Sequence, residues 1–551
     1  MSNSRWGWCI VVCLGWLAGA EKSQGAELKL TLPEYLARVL TNNENIQMKM
    51  LEVQISRKQY EAQKGMFEPA WVTSFTHEDR RNALTEEQKR NLFFATLFNE
   101  RNNRYDSGVE MVTPSGAKVQ LGYRLNELRN NLNQANFPDG EYLSTLSLAV
   151  TQPLLKDFGY AATLANLRAA AINSDITFQE YRKALIEIVA RAEAAYWDVY
   201  LAQQQYAFST DSVAVAQTLL ADNQAKLAVG KSSELDVMQA EAGLAQRQAL
   251  ANEARQKLYE AANRAMIFCS SSVLGPHDRF VAVDEPKAGP MTSDTLYFRT
   301  LADQLNPDAL ALRHQLALDG VRINFAKNQR LPQLDLKASY GSSDINPNYQ
   351  GIWRNLEAHD YPAWMLGLEL RVPLGGNIKA RKELDAARLR RQNTLLALQS
   401  LRVQLDNLID AAHKTADSYY DNIQRYAKVV EFNQNLLKSQ LDRLEVGKTD
   451  SRTVLETEQD LFEARLGLVQ SQVRFKRAVL DLEQSVGMVL QARNLELSQS
   501  DLAHRTRALL RSGKITPQAF AEFLQQVQRE YELRRQSAPP IPPSTLPPRQ
   551  P

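Results

Sequence analysis

The sequence has little cysteine, little net charge and no long apolar stretch, and each shortage removes a class of function. Three of 551 residues are Cys, and two of these, Cys9 and Cys13, sit near the N-terminus. Lys+Arg number 65 against 63 Asp+Glu, a net of +2, which argues against a broad nucleic-acid-binding surface. The one 12-residue apolar run, Trp6 to Leu17, falls short of the ~20 residues a spanning helix needs. There is no phosphate-cradling Gly-rich loop and no nucleophile elbow. The six His show no i, i+4 ligand pair. No catalytic residue, metal site or cofactor is expected, and the chain reads as a non-enzyme. Proline is missing from 154–275 and from 374–516, so both stretches can carry long unbroken helices.

The N-terminal run reads as an export signal. Arg5 supplies the positive start, and Ala18-Gly19-Ala20 supplies small residues at the cleavage positions. Residues 1–20 are assigned to the signal, with cleavage at 26, after Gln24-Gly25-Ala26, as the second choice. Cutting after Ala20 leaves one thiol, Cys269, which cannot form an internal disulfide. An exported chain of this size must then be held by packing or by oligomerisation.

The chain repeats itself. Val229-Gly230-Lys231, Val237 and Glu241 recur as Val446-Gly447-Lys448, Val454 and Glu458, always 217 residues later. Gln152-Pro153-Leu154 pairs with Val372-Pro373-Leu374, and Phe67-Glu68-Pro69 with Arg330-Leu331-Pro332. Two repeats of one element order are expected, 27–275 and 276–500, each a helix, a strand pair and a helical hairpin.

The hairpins rest on heptads. Ile409, Ala416, Ile423, Val430, Leu437 and Leu444 are spaced by seven, and Val454, Leu461, Leu468, Phe475, Leu482 and Val489 continue after the glycine. In the first repeat the same spacing picks out Ala192, Val199, Tyr206, Val213, Leu220 and Leu227, then Val237, Leu244, Ala251, Leu258 and Ala265. Gly230 and Gly447 stand where a helix ends, and Ser232, Ser233, Thr449, Asp450 or Ser451 can cap the next one. A helix over 160–229 would be ~105 Å long at ~1.5 Å per residue. A soluble coiled-coil rod would show the same heptads.

Four short segments alternate apolar and polar residues as strands do. Leu334, Leu336, Ala338 and Tyr340 alternate with Asp335 and Lys337, and Trp364, Leu366, Leu368 and Leu370 alternate with Glu369 and Arg371. Leu146, Leu148 and Val150 form a third set, and Phe67, Trp71 and Phe75 a weaker fourth. Their lengths suit bilayer-spanning strands, with Asp335, Lys337, Glu369 and Arg371 facing a barrel lumen. Four strands cannot close a barrel, and open edges are not tolerated in lipid, so several copies must share one. A further hairpin around Thr113-Pro114-Ser115-Gly116, within 107–125, either extends the barrel or forms an external loop.

This order, with Gln152-Pro153-Leu154-Leu155-Lys156-Asp157-Phe158-Gly159 after a strand and Val372-Pro373-Leu374-Gly375-Gly376 in the second repeat, resembles the TolC-like outer-membrane efflux family over about 30–490. The resemblance implies a mainly α fold with β. Three copies would share a 12-stranded outer-membrane β-barrel above a long periplasmic α-helical coiled-coil barrel. It also implies that the tips Val229, Gly230, Lys231, Val446, Gly447 and Lys448 dock a periplasmic adaptor linked to an inner-membrane pump. Asp236 matches a tip residue that holds the closed state. Glu456 matches one of two aperture carboxylates; Thr453 stands where the other would be, with Asp450 one turn away as a substitute.

The C-terminus adds a helical extension, 501–536, able to pack around the tunnel's equator, and a Pro-rich tail, 537–551, expected to be extended. The function expected is a passive outer-membrane duct of a tripartite efflux or type I secretion system, carrying small molecules or proteins from the periplasm outward. The alternative is an envelope coiled-coil or adhesion protein without channel activity.

Overall fold

The computed structural model describes residues 27–84, 89, 97–131, 140–230, 232–269, 279–291, 294–349, 351–352, 361–446, 448–495 and 502. The export signal and, Leu502 apart, the C-terminal extension and tail lie outside the described residues. The chain forms two compact units, one of 45–186, 294–409 and 485–551, the other of 1–44, 187–293 and 410–484.

The first of these units is built on a six-stranded sheet. Strands β2 (Ala70–Ala83), β3 (Leu97–Val112), β4 (Lys118–Asn130), β5 (Glu141–Pro153), β7 (Gln333–Asn346) and β8 (Pro362–Arg371) lie side by side in that order. Every neighbouring pair is antiparallel. The four segments expected as strands lie in or next to β2, β5, β7 and β8. The 107–125 segment supplies two more, reversed at Thr113–Ala117, where the Thr113 N–H donates to the Ala117 carbonyl at 2.8 Å and Gly116 takes φ +91°. Among the described residues this sheet therefore has six strands, where four were expected. β3 escaped the alternation test because its band carries Ser107 between Tyr105 and Val109, and its outer half is polar on both faces.

Two helices, α2 (Glu44–Gln63) and α6 (Pro307–Gln329), lead towards β2 and β7. Asn306 caps α6, its side-chain oxygen accepting from the N–H groups of Asp308 and Ala309, with Pro307 at the first helical position. Helix α6 packs on the start of α7 (Ile378–Glu445) through Ile323, Ala326, Leu384 and Ala387. A buried bond from the Thr394 hydroxyl to Asp319 crosses the same contact.

The second unit holds the parts of α3 (Ala165–Ala228) and α7 beyond Ile186 and Ile409, with α4 (Glu234–Ile267) and α8 (Ser451–Val486). A two-stranded parallel sheet, β1 (Glu27–Leu30) with β6 (Arg279–Ala282), sits here beside α1 (Leu32–Asn42). Tyr35, Tyr196 and Phe280 stack around it. The Tyr196 oxygen accepts from the N–H groups of Val283 and Asp284. Cys269 is buried, which pushes its thiol up to about 11.

The heptads hold in α8, where Val454, Leu461, Phe475 and Leu482 are all buried. In α4 they do not. The buried column is Ala240, Arg247, Ala254 and Ala261, and Leu244 and Leu258 are only half-buried. Small side chains line the tighter contact there, so the largest apolar residues do not mark the seam.

Candidate channel wall and hairpin tips

The wall follows from strand register. Trp71, Val109, Leu121, Leu148, Tyr340 and Trp364 are successive cross-strand partners, one from each of the six strands, and all lie on one face. All six are solvent-exposed in the single chain, the two Trp at 76%. An apolar belt of this kind on a sheet surface needs a partner or a lipid. The opposite face is polar. There Asp335 opposes Glu369, Gln333 opposes Arg371, and Lys337 ion-pairs with Glu369, which also binds Arg371 at 3.2 Å. Asp335 is buried and accepts from the Gln333 amide at 2.7 Å. The four residues expected at a lumen are thus together on one polar face.

Two glycines of that face sit close to a neighbouring strand. A Cβ at Gly108 would meet the Leu121 carbonyl oxygen at 2.7 Å, and one at Gly341 would meet the Leu146 carbonyl oxygen at 2.5 Å. Both glycines project to the polar side, where only a missing side chain lets the neighbouring backbone come so close.

At the tips, α3 ends in the left-handed turn expected for Gly230, with φ +71° and its N–H donating to the Leu227 carbonyl at 2.9 Å. Val229 and Val446 are 68% and 66% exposed, unusual for valine. The Lys448 N–H donates to the Arg443 carbonyl at 2.9 Å. Lys231 and Gly447 lie outside the described residues. Ser233 caps α4 in a capping box with Asp236. The Ser233 N–H and hydroxyl, and then the Ser232 hydroxyl, hold the Asp236 carboxyl below the usual carboxylate range. Asp450 caps α8, accepting from the Thr453 hydroxyl and, at 2.8 Å, from its N–H, which lowers its pKa likewise.

The structure shows what each of these side chains does within one chain. Within one chain the Asp236 carboxylate serves its own helix start, and Thr453 and Asp450 serve each other. Glu456 stands exposed and pairs with Arg452 at 2.8 Å, so its charge does not stand alone.

Sequence reasoning missed the most buried charges of the tip. Arg247 of α4 and Glu458 of α8 form an ion pair at 3.0 Å, each side chain 8% exposed. The Arg247 guanidinium also donates to the Leu455 carbonyl at 2.9 Å and to Ser212 at 3.1 Å. Gly243, one turn before Arg247, makes room for Leu455, whose Cδ1 would lie 3.0 Å from a Cβ there. Asn223 of α3 completes the junction. Its amide donates to the Asp236 carbonyl at 3.3 Å, and its oxygen accepts from Ser451 at 3.0 Å. The repeat did flag Glu458, but its counterpart Glu241 is exposed and nothing local marks Arg247.

A family model for outer membrane efflux proteins matches residues 117–265 and 299–488, more than half of the chain. The chain belongs to the outer membrane efflux protein family. As a member it is an outer-membrane protein with a large periplasmic portion, and its role is that of an efflux or secretion channel. It is 24% identical to the outer membrane protein TolC of Vibrio cholerae over 399 residues, 69% of this chain and 85% of that protein. It is 26% identical to the alkaline protease secretion protein AprF of Pseudomonas aeruginosa over 361 residues, 65% of this chain and 71% of that one. In fold it is similar to the CmeC outer membrane channel of Campylobacter jejuni, with TM-score 0.60 at 13% identity, covering 85% of this chain and 90% of the other.

Proposed function

We propose that three copies of this efflux protein share one barrel and one helical tunnel, forming a passive duct from the periplasm to the exterior. Each chain carries two copies of a duplicated unit. One observation carries the reading: among the described residues β2 and β8, running in opposite directions, have a hydrogen-bonded neighbour on one side only. Open edges on a sheet with an apolar belt are not stable in lipid. The β8 edge of one copy fits the β2 edge of the next and keeps the antiparallel alternation. The exposed heptad line Leu389, Leu396 and Val403 on α7 supports a neighbouring copy as well.

The tips are the docking surface for a periplasmic adaptor joined to an inner-membrane pump. Supporting this are the exposed Val229 and Val446 and a groove of about 640 Å³ between α4 and α8, lined by Gly243, Arg247, Leu455 and Glu456. The cargo is small molecules or proteins, as relatives named for efflux and for protease secretion suggest.

Mass determination of the detergent-extracted protein should give a trimer, and planar bilayers should show ion conductance. A stable monomer with an intact barrel would end the shared-barrel reading. A trimer that never conducts would favour an envelope coiled-coil or adhesion protein. Val229→Asp with Val446→Asp should abolish export and adaptor pull-down while trimers persist; unchanged export would remove the tips from docking.

A further inference from the structure

We propose that the shared barrel has eighteen strands rather than twelve, so that the outer part of the duct is a wide exit selective by size more than by charge. The proposal rests on the shared-barrel reading above and deepens it. Each chain contributes the six strands of one sheet, and three copies close it.

The alternative is that β3 and β4 form a flap outside the membrane, leaving four wall strands per chain. The register argues against it. Val109 and Leu121 occupy the middle of the apolar row that runs from Trp71 to Trp364, and Met111 and Val119 continue into the next row with Val150, Ala338 and Leu366. A flap in water has no use for an apolar belt continuous with that of the wall strands on both sides.

The β3–β4 turn reaches the other end of the sheet as well. The Gly159 N–H donates to the Ser115 carbonyl at 3.1 Å, and a Cβ at Gly116 would lie 2.7 Å from the Asp157 carbonyl oxygen. The hairpin thus ends against the segment that leads from β5 to α3, having crossed the full height of the belt. At the opposite end the outward face turns polar at His77, Asp79, Arg101 and Asn103, which marks where the belt stops.

The two strands also complete the inner wall. Asp106 and Arg124 are cross-strand partners on the polar face and form an ion pair beside Gly108 and Gly122. Together with the Lys337–Glu369–Arg371 cluster, the wall presents paired charges rather than one sign. Neutralised pairs focus little potential, so this part of the duct discriminates weakly between cations and anions.

Barrel diameter grows roughly linearly with strand number, so eighteen strands give about 1.5 times the diameter of twelve and about twice the cross-section. β2, β5, β7 and β8 each adjoin a helical segment in the chain, whereas β3 and β4 are joined only by a turn. The added width belongs to the barrel alone. The cargo class it fits is bulky: polypeptides or polymers whose cross-section exceeds that of a small drug.

Excising 97–130 leaves β2 followed by β5, still antiparallel, and would restore twelve strands. In planar bilayers, with polyethylene glycols of graded size added only on the barrel side, the excluded size should fall about 1.5-fold in hydrodynamic diameter. Trimers that form and conduct with an unchanged exclusion size would overturn the proposal. A second arm uses the full chain in liposomes, with the buried Cys269 as background. Val109→Cys and Leu121→Cys should resist a membrane-impermeant thiol reagent, and Arg124→Cys should react with it. Equal reactivity at all three positions would place the hairpin in water and overturn the proposal even where the deletion fails to fold. If the unaltered protein never conducts, the channel reading falls and the eighteen-strand pore falls with it.

Discussion

The two helical hairpins are close in length but packed by different rules. α3 and α4 run 64 and 34 residues, α7 and α8 run 68 and 36. In α8 the seam is made of Val454, Leu461, Phe475 and Leu482, large apolar residues that supply burial directly. In α4 it is made of alanines with one buried arginine, and that arginine finds its charge partner on α8. Duplication would have supplied one hairpin design twice. Instead the second hairpin has its own apolar seam, and the first is tied to the second through Arg247.

The sharpest way to break this asymmetry is at the pair itself. Glu458→Ala would leave the Arg247 guanidinium buried without its carboxylate, and loss of one partner of a buried pair costs about 3–5 kcal/mol. Arg247→Met with Glu458→Leu should recover more than half of that loss, because two apolar groups leave no charge stranded. Thermal unfolding of detergent-solubilised protein checks both. Strictly additive effects would mean that the two hairpins are not coupled here. The equivalent positions, Glu241 and Ala464, offer no such pair, so Glu241→Ala should change stability little.

Next in size is the turn. Gly230 has φ +71° and open space around it, so Gly230→Val carries a torsional penalty and no clash. That penalty is about 1–2 kcal/mol for an L residue held in the left-handed region. Hydrogen exchange should show it as local opening of 227–233, with the α8 start unchanged. Equal loosening of both tips would mean that they open together.

A smaller effect separates the two tips electrically. Glu456 at the start of α8 is paired with Arg452, whereas Asp236 at the start of α4 is tied up by serines. Arg452→Gln should therefore raise cation preference and strengthen block by divalent cations, and Glu456→Gln should weaken both. Single-channel recordings in which neither variant shifts selectivity would place the aperture elsewhere.

How much of this was legible in the sequence depends on which residues carry each contact. Strands β7 and β8 could be read because Leu334 to Tyr340 and Trp364 to Leu370 alternate without interruption. β3 could not be read in full, since beyond Tyr105 its outward positions are Asn103, Arg101 and Asn99. The α8 seam was legible because its residues are bulky. In α4 the bulky residues point away, and alanine spacing is too common to stand out. Asp236, Asp450 and Thr453 were noticed as polar tip residues, but position alone does not distinguish a cap from a gate. The capping bonds themselves are visible only in the structure. The Arg247–Glu458 pair spans 211 residues of sequence and involves no local motif.

The smallest predicted effect compares the two caps by pH. Both Asp236 and Asp450 have folded pKa values below the ordinary 3.8, so the folded tips bind fewer protons than the unfolded chain. Their contribution is fully present above about pH 3.8 and is lost as pH falls through the lowered folded values. Asp236 accepts from three donors, the Ser233 N–H and the hydroxyls of Ser233 and Ser232, and Asp450 from the Thr453 N–H and hydroxyl. Both helix starts should therefore loosen in acid as pH falls through those lowered values. Amide exchange at Asp236–Val237 and at Thr453–Val454, followed from pH 5 downward, would show the opening at each tip. Asp236→Asn and Asp450→Asn should each abolish the pH dependence at its own tip and leave the other in place. If the Asn variants keep the parent's acid profile, the carboxylates are not what closes the helix starts, and the difference between the hairpins lies in the buried pair alone.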